Sequence, residues 1–131
     1  MLTAMNTGHD GSLTTLHANS PADILPRVVT MVRYGVDLPV DVIEANAASA
    51  FDVVVQTTRS LDGLRYVTCV AEFERAAHGG GCGVHVLFER TSPGLAGTWK
   101  ALPRWIDDVP ELCGIPIEEV KTWEHRLHGA A

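Results

Sequence analysis

The segment 51-FDVVVQTTRSLDGLRYVTCVAEF-73 decides the fold of this chain. Residues 51–58 form a continuous β-branched run, and such a run predicts a strand that is covered on both faces. Residues 59–63 follow as a turn, in which Asp62 and Gly63 form a typical hairpin dipeptide. Residues 64–73 are again apolar and β-branched. We therefore expect two adjacent strands that pair antiparallel.

The sequence after this hairpin predicts a third strand and a helical tail. Residues 78–83 are rich in glycine and predict a loop, and residues 84–89 predict a strand that extends the meander. A second turn is expected at residues 92–98. Two short helices are predicted at 110–113 and 117–127. A further short helix is expected to carry four apolar and aromatic side chains: Trp99, Leu102, Trp105 and Ile106.

Two helices are predicted before the hairpin. Ser20 is a capping residue, Pro21 suits the first helical position, and Asp23 favours the positive end of a helix. This helix is expected to stop near Gly35 in a left-handed conformation, and residues 39–50 predict the second helix. The apolar stripes expected to face the core are Ile24, Val28, Met31 and Val32 in the first helix, and Val42, Ile43, Ala47 and Phe51 in the second.

The composition excludes several classes of protein. The chain has 131 residues, 46% of them apolar, and a net charge of −6. This amount of apolar sequence predicts a globular domain, and the acidic balance argues against a nucleic-acid partner. No stretch approaches the roughly 18 apolar residues of a membrane span, and no signal peptide is recognisable. The three cysteines form neither a disulfide framework nor a zinc motif, so we expect a cytoplasmic location.

The segment 7-TGHDGSLTTLHANS-20 carries the candidate chemistry. Two histidines flank a turn and a predicted short strand at residues 13–16. If the segment contacts a nucleotide, its glycines let backbone N–H groups approach phosphate, and its hydroxyls act as donors. A histidine at the end of the strand could bond a terminal phosphate. The candidate residues are His9, His17, Gly8, Gly11, Ser12, Thr14 and Thr15.

Residues 7–21, TGHDGSLTTLHANSP, resemble the histidine box of the type II and type IV secretion traffic ATPases. The similarity is closest to the branch that assembles tight-adherence (Flp-type) pili. It extends upstream through LTAMNTGHDGS at residues 2–12. Downstream it continues through ANSPADILPRVVTMV at 18–32 and AASAFDVVVQTTRSLDGLRYVTCVAE at 47–72. The resemblance covers roughly residues 1–74.

This resemblance implies an α/β fold, namely the C-terminal portion of a RecA-like P-loop NTPase domain with an antiparallel meander and a helical tail. Such motors use ATP and Mg²⁺, form homo-hexamers at the cytoplasmic face of the inner membrane, and act on inner-membrane platform proteins. His17 and His9 take the places of the family's histidines near the γ-phosphate. The resemblance also implies that Gly8, Gly11, Ser12 and Thr14 shape the surroundings of the nucleotide.

One departure from the family pattern is decisive. The phosphate-binding loop G-x-x-x-x-G-K-[ST] is missing, because Lys100 follows Trp99 and Lys121 follows Val120. In the family, this loop and the Walker B acid precede the histidine box. We therefore interpret residues 1–75 as the C-terminal part of the ATPase domain and 76–131 as a loop, strand and tail. Alone, the chain is expected to bind no cofactor and to lack ATPase activity.

Other interpretations stay open at this point. The chain could be a non-catalytic module that docks onto a separate ATPase half or ring, or a histidine metalloprotein. His17 could be a packed strand histidine, and residues 78–83 a phosphate loop, although no lysine is present there. Residues 67–72 mimic a Walker B strand but are better explained as an edge of the meander. We expect Asp107 and Asp108 to lie at a solvated helix start.

Overall fold

The computed structural model describes residues 12–75 and 81–128. Within these ranges two helices precede an antiparallel sheet, and two short helices follow it, which confirms the α/β class. The helices are α1 (Ile24–Arg33), α2 (Val40–Ala50), α3 (Val109–Cys113) and α4 (Ile117–His128). The strands are β1 (Val54–Arg59), β2 (Arg65–Arg75), β3 (Cys82–Glu89) and β4 (Thr98–Trp99).

The sheet is a meander with the strand order β1-β2-β3-β4. All three strand pairs are antiparallel. The predicted hairpin is confirmed: the Ser60 amide donates to the Leu64 carbonyl, and Gly63 adopts a φ of 88°. That left-handed conformation favours glycine, because a Cβ atom would be strained there.

The prediction that both faces of the first strand are covered is wrong. β1 lies at an edge of the sheet. Val54 is half-buried and packs against the core cluster, whereas the side chain of Val55 is 56% exposed. This alternation arises because successive strand side chains point to opposite faces and the helices cover only one of them.

α1 follows a short 3-10 turn at Pro21–Asp23, which confirms the predicted start. The Ser20 hydroxyl lies 2.7 Å from a carboxylate oxygen of Asp23 and does not cap a backbone amide. The left-handed conformation expected at Gly35 is wrong. The helix ends at Arg33, and Gly35 and Val36 instead donate backbone bonds to the carbonyl of Val32.

The core lies between α1, α2 and the sheet. Its buried members are Leu25, Val28, Val29, Ile43, Ala47 and Phe73. The expected stripe of α1 is therefore rotated, since Leu25 and Val29 are buried whereas Met31 is 55% exposed. In α2, Ile43 and Ala47 are buried as predicted, but Val42 is 41% exposed.

The tail begins differently from the prediction. Trp99 lies in β4, where its ring packs against Phe88 at a centroid distance of 5.2 Å. The backbone amides of Lys100 and Ala101 donate to the carbonyl of Leu87. These bonds hold the chain along the sheet, so Trp99, Leu102 and Trp105 lie outside a helix and only Ile106–Asp108 forms a 3-10 turn. The helices predicted at 110–113 and 117–127 are confirmed.

Candidate functional site

A groove of about 1150 Å³ lies along the edge of the sheet at β1. Residues 14–18 form one wall, and side chains of α1, α2 and β1 form the others. The Gln56 amide in β1 donates to the carbonyl of Ala18 at 3.1 Å, which ties the wall to the sheet. The apolar lining includes Ile24, Val28, Val32, Ile43, Phe51 and Val54.

The strand predicted at residues 13–16 is wrong. Residues 12–18 have no regular secondary structure, and the side chain of Leu13 is 96% exposed. The Gln56 side chain anchors this segment to β1 through its hydrogen bond to the carbonyl of Ala18. Without a ladder of backbone bonds, the segment runs beside β1 as an irregular wall.

The structure describes four of the candidate residues. His17, Thr14 and Thr15 are exposed and line the groove, and Ser12 is exposed nearby in the chain. The alternative of a packed strand histidine at position 17 is therefore wrong. His9, Gly8 and Gly11 lie outside the described residues, and so do residues 78–80 of the loop predicted at 78–83. That loop is shorter than predicted, because Cys82 and Gly83 already belong to β3.

Two arginines that the sequence did not single out also line this groove. Arg59 ends β1 and Arg65 begins β2, and the two are direct partners in the strand register. The Arg59 Nε donates to the carbonyl of Gly63 at 3.2 Å. The sequence did contain a signal for this pair, namely one arginine on each side of the predicted turn. A two-stranded hairpin brings such positions next to each other.

A second polar cluster lies around Glu72 in β2. Its side chain is 2% exposed and is the only buried charged group of the described residues. His85 Nδ1 lies 2.9 Å from Glu72 Oε1, and Arg104 Nε lies 3.2 Å from the same oxygen. The backbone amide of Arg104 also donates to the carboxylate at 3.3 Å, and its guanidinium donates to the carbonyl of Phe73.

The Glu72 cluster lies on the face of the sheet opposite to α1 and α2. Phe73 belongs to the core beneath the helices, so the neighbouring Glu72 points to the other side. His85 is the direct register partner of Glu72 and shares that side. The cluster thus fixes the start of the tail on the sheet, because a buried carboxylate is stable only with its partners in place.

Residues 67–72 are therefore not an edge of the meander. They belong to β2, which lies between β1 and β3, and that expectation is corrected. The signal for Glu72 was a single acid between Ala71 and Phe73 in an apolar run. The sequence could not reveal its partners, because Arg104 is distant along the chain.

Four further observations concern metal binding, membrane-spanning helices, one cysteine and the two aspartates before α3. No group of three His, Cys, Asp or Glu side chains within residues 12–75 and 81–128 is arranged to hold a metal ion. Over the same ranges, no helix has the length and apolarity needed to span a bilayer. Burial raises the pKa of the Cys69 thiol, and the nearby Glu89 carboxylate raises it further. Asp107 and Asp108 are exposed in the 3-10 turn before α3, as expected.

Comparison with known proteins assigns the chain to a family. A family model described as "Type II/IV secretion system protein" matches residues 1–85. In each of two strains of Mycobacterium tuberculosis, a protein named "Putative conjugal transfer protein" is 30% identical over 76 residues, or 58% of this chain. The chain spans 21% of the length of these relatives. Since the family model covers well over half of its length, the chain belongs to the type II/IV secretion system protein family.

Proposed function

We propose that this chain supplies the histidine box of an ATP-driven motor for type II/IV secretion, in the branch that assembles tight-adherence (Flp) pili. The chain contributes the C-terminal portion of a RecA-like domain. His17 senses the γ-phosphate, and His9, Ser12 and Thr14 shape its surroundings. Gly8 and Gly11 permit the turn between the two histidines.

The observation that carries this proposal is the position of His17. Its side chain is exposed on the wall of an open groove, in a chain whose first 85 residues match the family. An exposed imidazole can exchange hydrogen bonds with a phosphate oxygen through its ring nitrogens. Thr14 lines the same groove and adds a hydroxyl donor.

The complete site needs elements that these 131 residues do not contain. Catalysis of phosphoryl transfer depends on a phosphate-binding loop and a bound Mg²⁺, and the sequence of this chain has no such loop. We propose that a separate N-terminal ATPase part or neighbouring subunits of a homo-hexamer supply it. The assembled motor binds Mg-ATP at the cytoplasmic face of the inner membrane and acts on its platform proteins.

A second candidate function is a docking module without catalysis. It is favoured by apolar side chains that lie exposed around the groove, because large exposed apolar patches mark interaction sites. Val55 and Val36 are 56% and 53% exposed, and Met31 is 55% exposed. In this alternative the chain binds a separate ATPase half or ring, and His17 has no role in turnover.

The test measures ATP hydrolysis by the chain alone and after mixing with a family ATPase from the same genome that retains the phosphate-binding loop. Alone, the chain should give no turnover above buffer. The motor proposal expects turnover that depends on the mixture and falls at least about tenfold in His17→Ala, the size expected for a group acting on the transferring phosphate.

The matched control is His125→Ala, since His125 is exposed on α4 and does not line the groove. Association with unchanged turnover in His17→Ala would favour the docking module. Turnover by the chain alone that is lost in His17→Ala would contradict the need for a partner.

A further inference from the structure

Two like charges lie side by side at the hairpin end of the groove. Arg59 and Arg65 are direct partners across the β1–β2 pair, and both side chains are exposed and line the groove. Directly opposite residues have Cβ atoms only about 5 Å apart, and like charges at that spacing are destabilising. An anion bound between the two guanidinium groups would offset this repulsion.

The described part of the chain does not provide that anion. No carboxylate of residues 12–75 or 81–128 forms an ion pair with Arg59 or Arg65. The nearby carboxylate of Asp62 instead accepts a hydrogen bond from the Ser60 hydroxyl. The chain as a whole carries a net charge of −6, so an uncompensated cationic pair is a local exception to its charge.

The turn holds one guanidinium in position. Arg59 Nε donates to the carbonyl of Gly63, and a Cβ atom at Gly63 would lie 3.4 Å from a terminal nitrogen of Arg59. Gly63 therefore leaves room for the guanidinium to lie over the turn. This arrangement uses Nε, and the terminal nitrogens of Arg59 form no ion pair with a carboxylate of the described residues.

The chemistry of the pair favours phosphate over carboxylate. One arginine fork already occupies both oxygens of a carboxylate, whereas a phosphate group has oxygens for two forks and for hydroxyl donors. Thr57 and Thr58 precede Arg59, are exposed, and line the same groove. Because successive strand side chains alternate, the Thr57 hydroxyl lies on the same side of the hairpin as the two guanidinium groups, whereas Thr58 points to the other side.

We propose that Arg59 and Arg65, assisted by Thr57, form a phosphate-binding subsite for a polyphosphate group. The ligand is the phosphate chain of a nucleotide or an inorganic polyphosphate. This subsite goes beyond the proposed function, because it is a second anion-binding element of the groove and does not depend on His17 or on a partner subunit.

The test titrates the full chain with tripolyphosphate, ATP and adenosine at low ionic strength, where screening is small. Backbone NMR shifts locate the site, and calorimetry gives the Kd. Tripolyphosphate and ATP should produce saturable shifts at residues 57–66, and adenosine should not. Tighter binding of ATP than of tripolyphosphate would identify the nucleotide as the ligand, and equal binding would identify inorganic polyphosphate.

Three double variants separate specific contacts from overall charge. Arg59→Gln with Arg65→Gln should raise the Kd about tenfold or more, since it removes charge-assisted bonds. Arg59→Lys with Arg65→Lys keeps the charge but loses both forks and should weaken binding by less. Arg27→Gln with Arg33→Gln changes the net charge equally at exposed positions of α1 outside the groove, and it should change the Kd by less than about twofold.

Two results would overturn the subsite: no saturable shift at residues 57–66 with either phosphate ligand, or equal weakening by the α1 control. A circular-dichroism melt checks that each variant is folded. If Arg59→Gln with Arg65→Gln does not fold, the lysine variant and the α1 control still decide the question. His17→Ala tests the motor proposal separately, so either proposal can fail while the other stands.

Discussion

The groove at β1 and the cluster around Glu72 lie on the same sheet but differ in how their charges are balanced. At Glu72, a carboxylate that is 2% exposed contacts His85, Arg104 and a backbone amide. In the groove, Arg59 and Arg65 are direct register partners, and neither forms an ion pair with a carboxylate of the described residues. The contrast indicates that the Glu72 cluster serves stability, whereas the groove keeps its charges available for a ligand.

The largest expected difference between the two regions concerns apolar side chains. Leu87 in β3 is 2% exposed, whereas Val55 in the groove is 56% exposed. Leu87→Ala should lower the free energy of unfolding by about 3 kcal/mol, because it removes buried contacts and leaves a cavity. Val55→Ala should lower it by less than about 0.5 kcal/mol. Urea denaturation measures both free energies of unfolding. Equal losses would mean that Val55 is as buried in solution as Leu87.

A smaller effect is expected at the buried carboxylate. Glu72→Ala should lower the free energy of unfolding by about 2 kcal/mol, because Arg104 and His85 are partly exposed and regain water when their partner is lost. The control is Glu74→Ala, an exposed glutamate on the same strand, with a loss below about 0.5 kcal/mol. Thermal melts compare the two, and equal losses would show that burial of Glu72 has no special role.

The smallest effect concerns the turn beside the groove. A hydrogen bond from the Ser60 hydroxyl lowers the pKa of Asp62 below its ordinary value of 3.8. A depressed carboxyl pKa stabilises the fold above that ordinary value, and this stabilisation is lost as the pH falls through the folded pKa. Ser60→Ala should raise the Asp62 pKa toward 3.8, as followed by NMR titration. Ser92→Ala, in another turn, should leave it unchanged.

Local signals were sufficient for most of the regular elements of this fold, although they did not predict β4. The hairpin dipeptide at Asp62 and Gly63 and the Ser20-Pro21 helix start are read from adjacent residues, and both predictions are confirmed. The expected strand at 13–16 is wrong, because strand formation depends on a neighbour that the local sequence does not specify. The prediction that both faces of β1 are covered is wrong for the same reason.

The candidate site could be predicted only in part. The resemblance led to His17 and Thr14, which the structure places on one groove, whereas their roles stay predictions. Arg59 and Arg65 were missed because their importance arises from register, and Glu72 because its partner Arg104 lies 32 residues away in the sequence. Interactions of this range depend on tertiary packing and leave no periodic pattern in the chain.

The strand register also has a consequence for shortened forms of this protein. The family match ends at residue 85, in the middle of β3 (Cys82–Glu89). A truncation at that residue would remove Leu87 and Phe88 and leave half of β2 with a bare edge, and exposed strand edges of this kind promote aggregation. The family match therefore ends inside the sheet and does not mark the end of a folding unit. A stable fragment has to continue past β4 to include Arg104, the partner of Glu72.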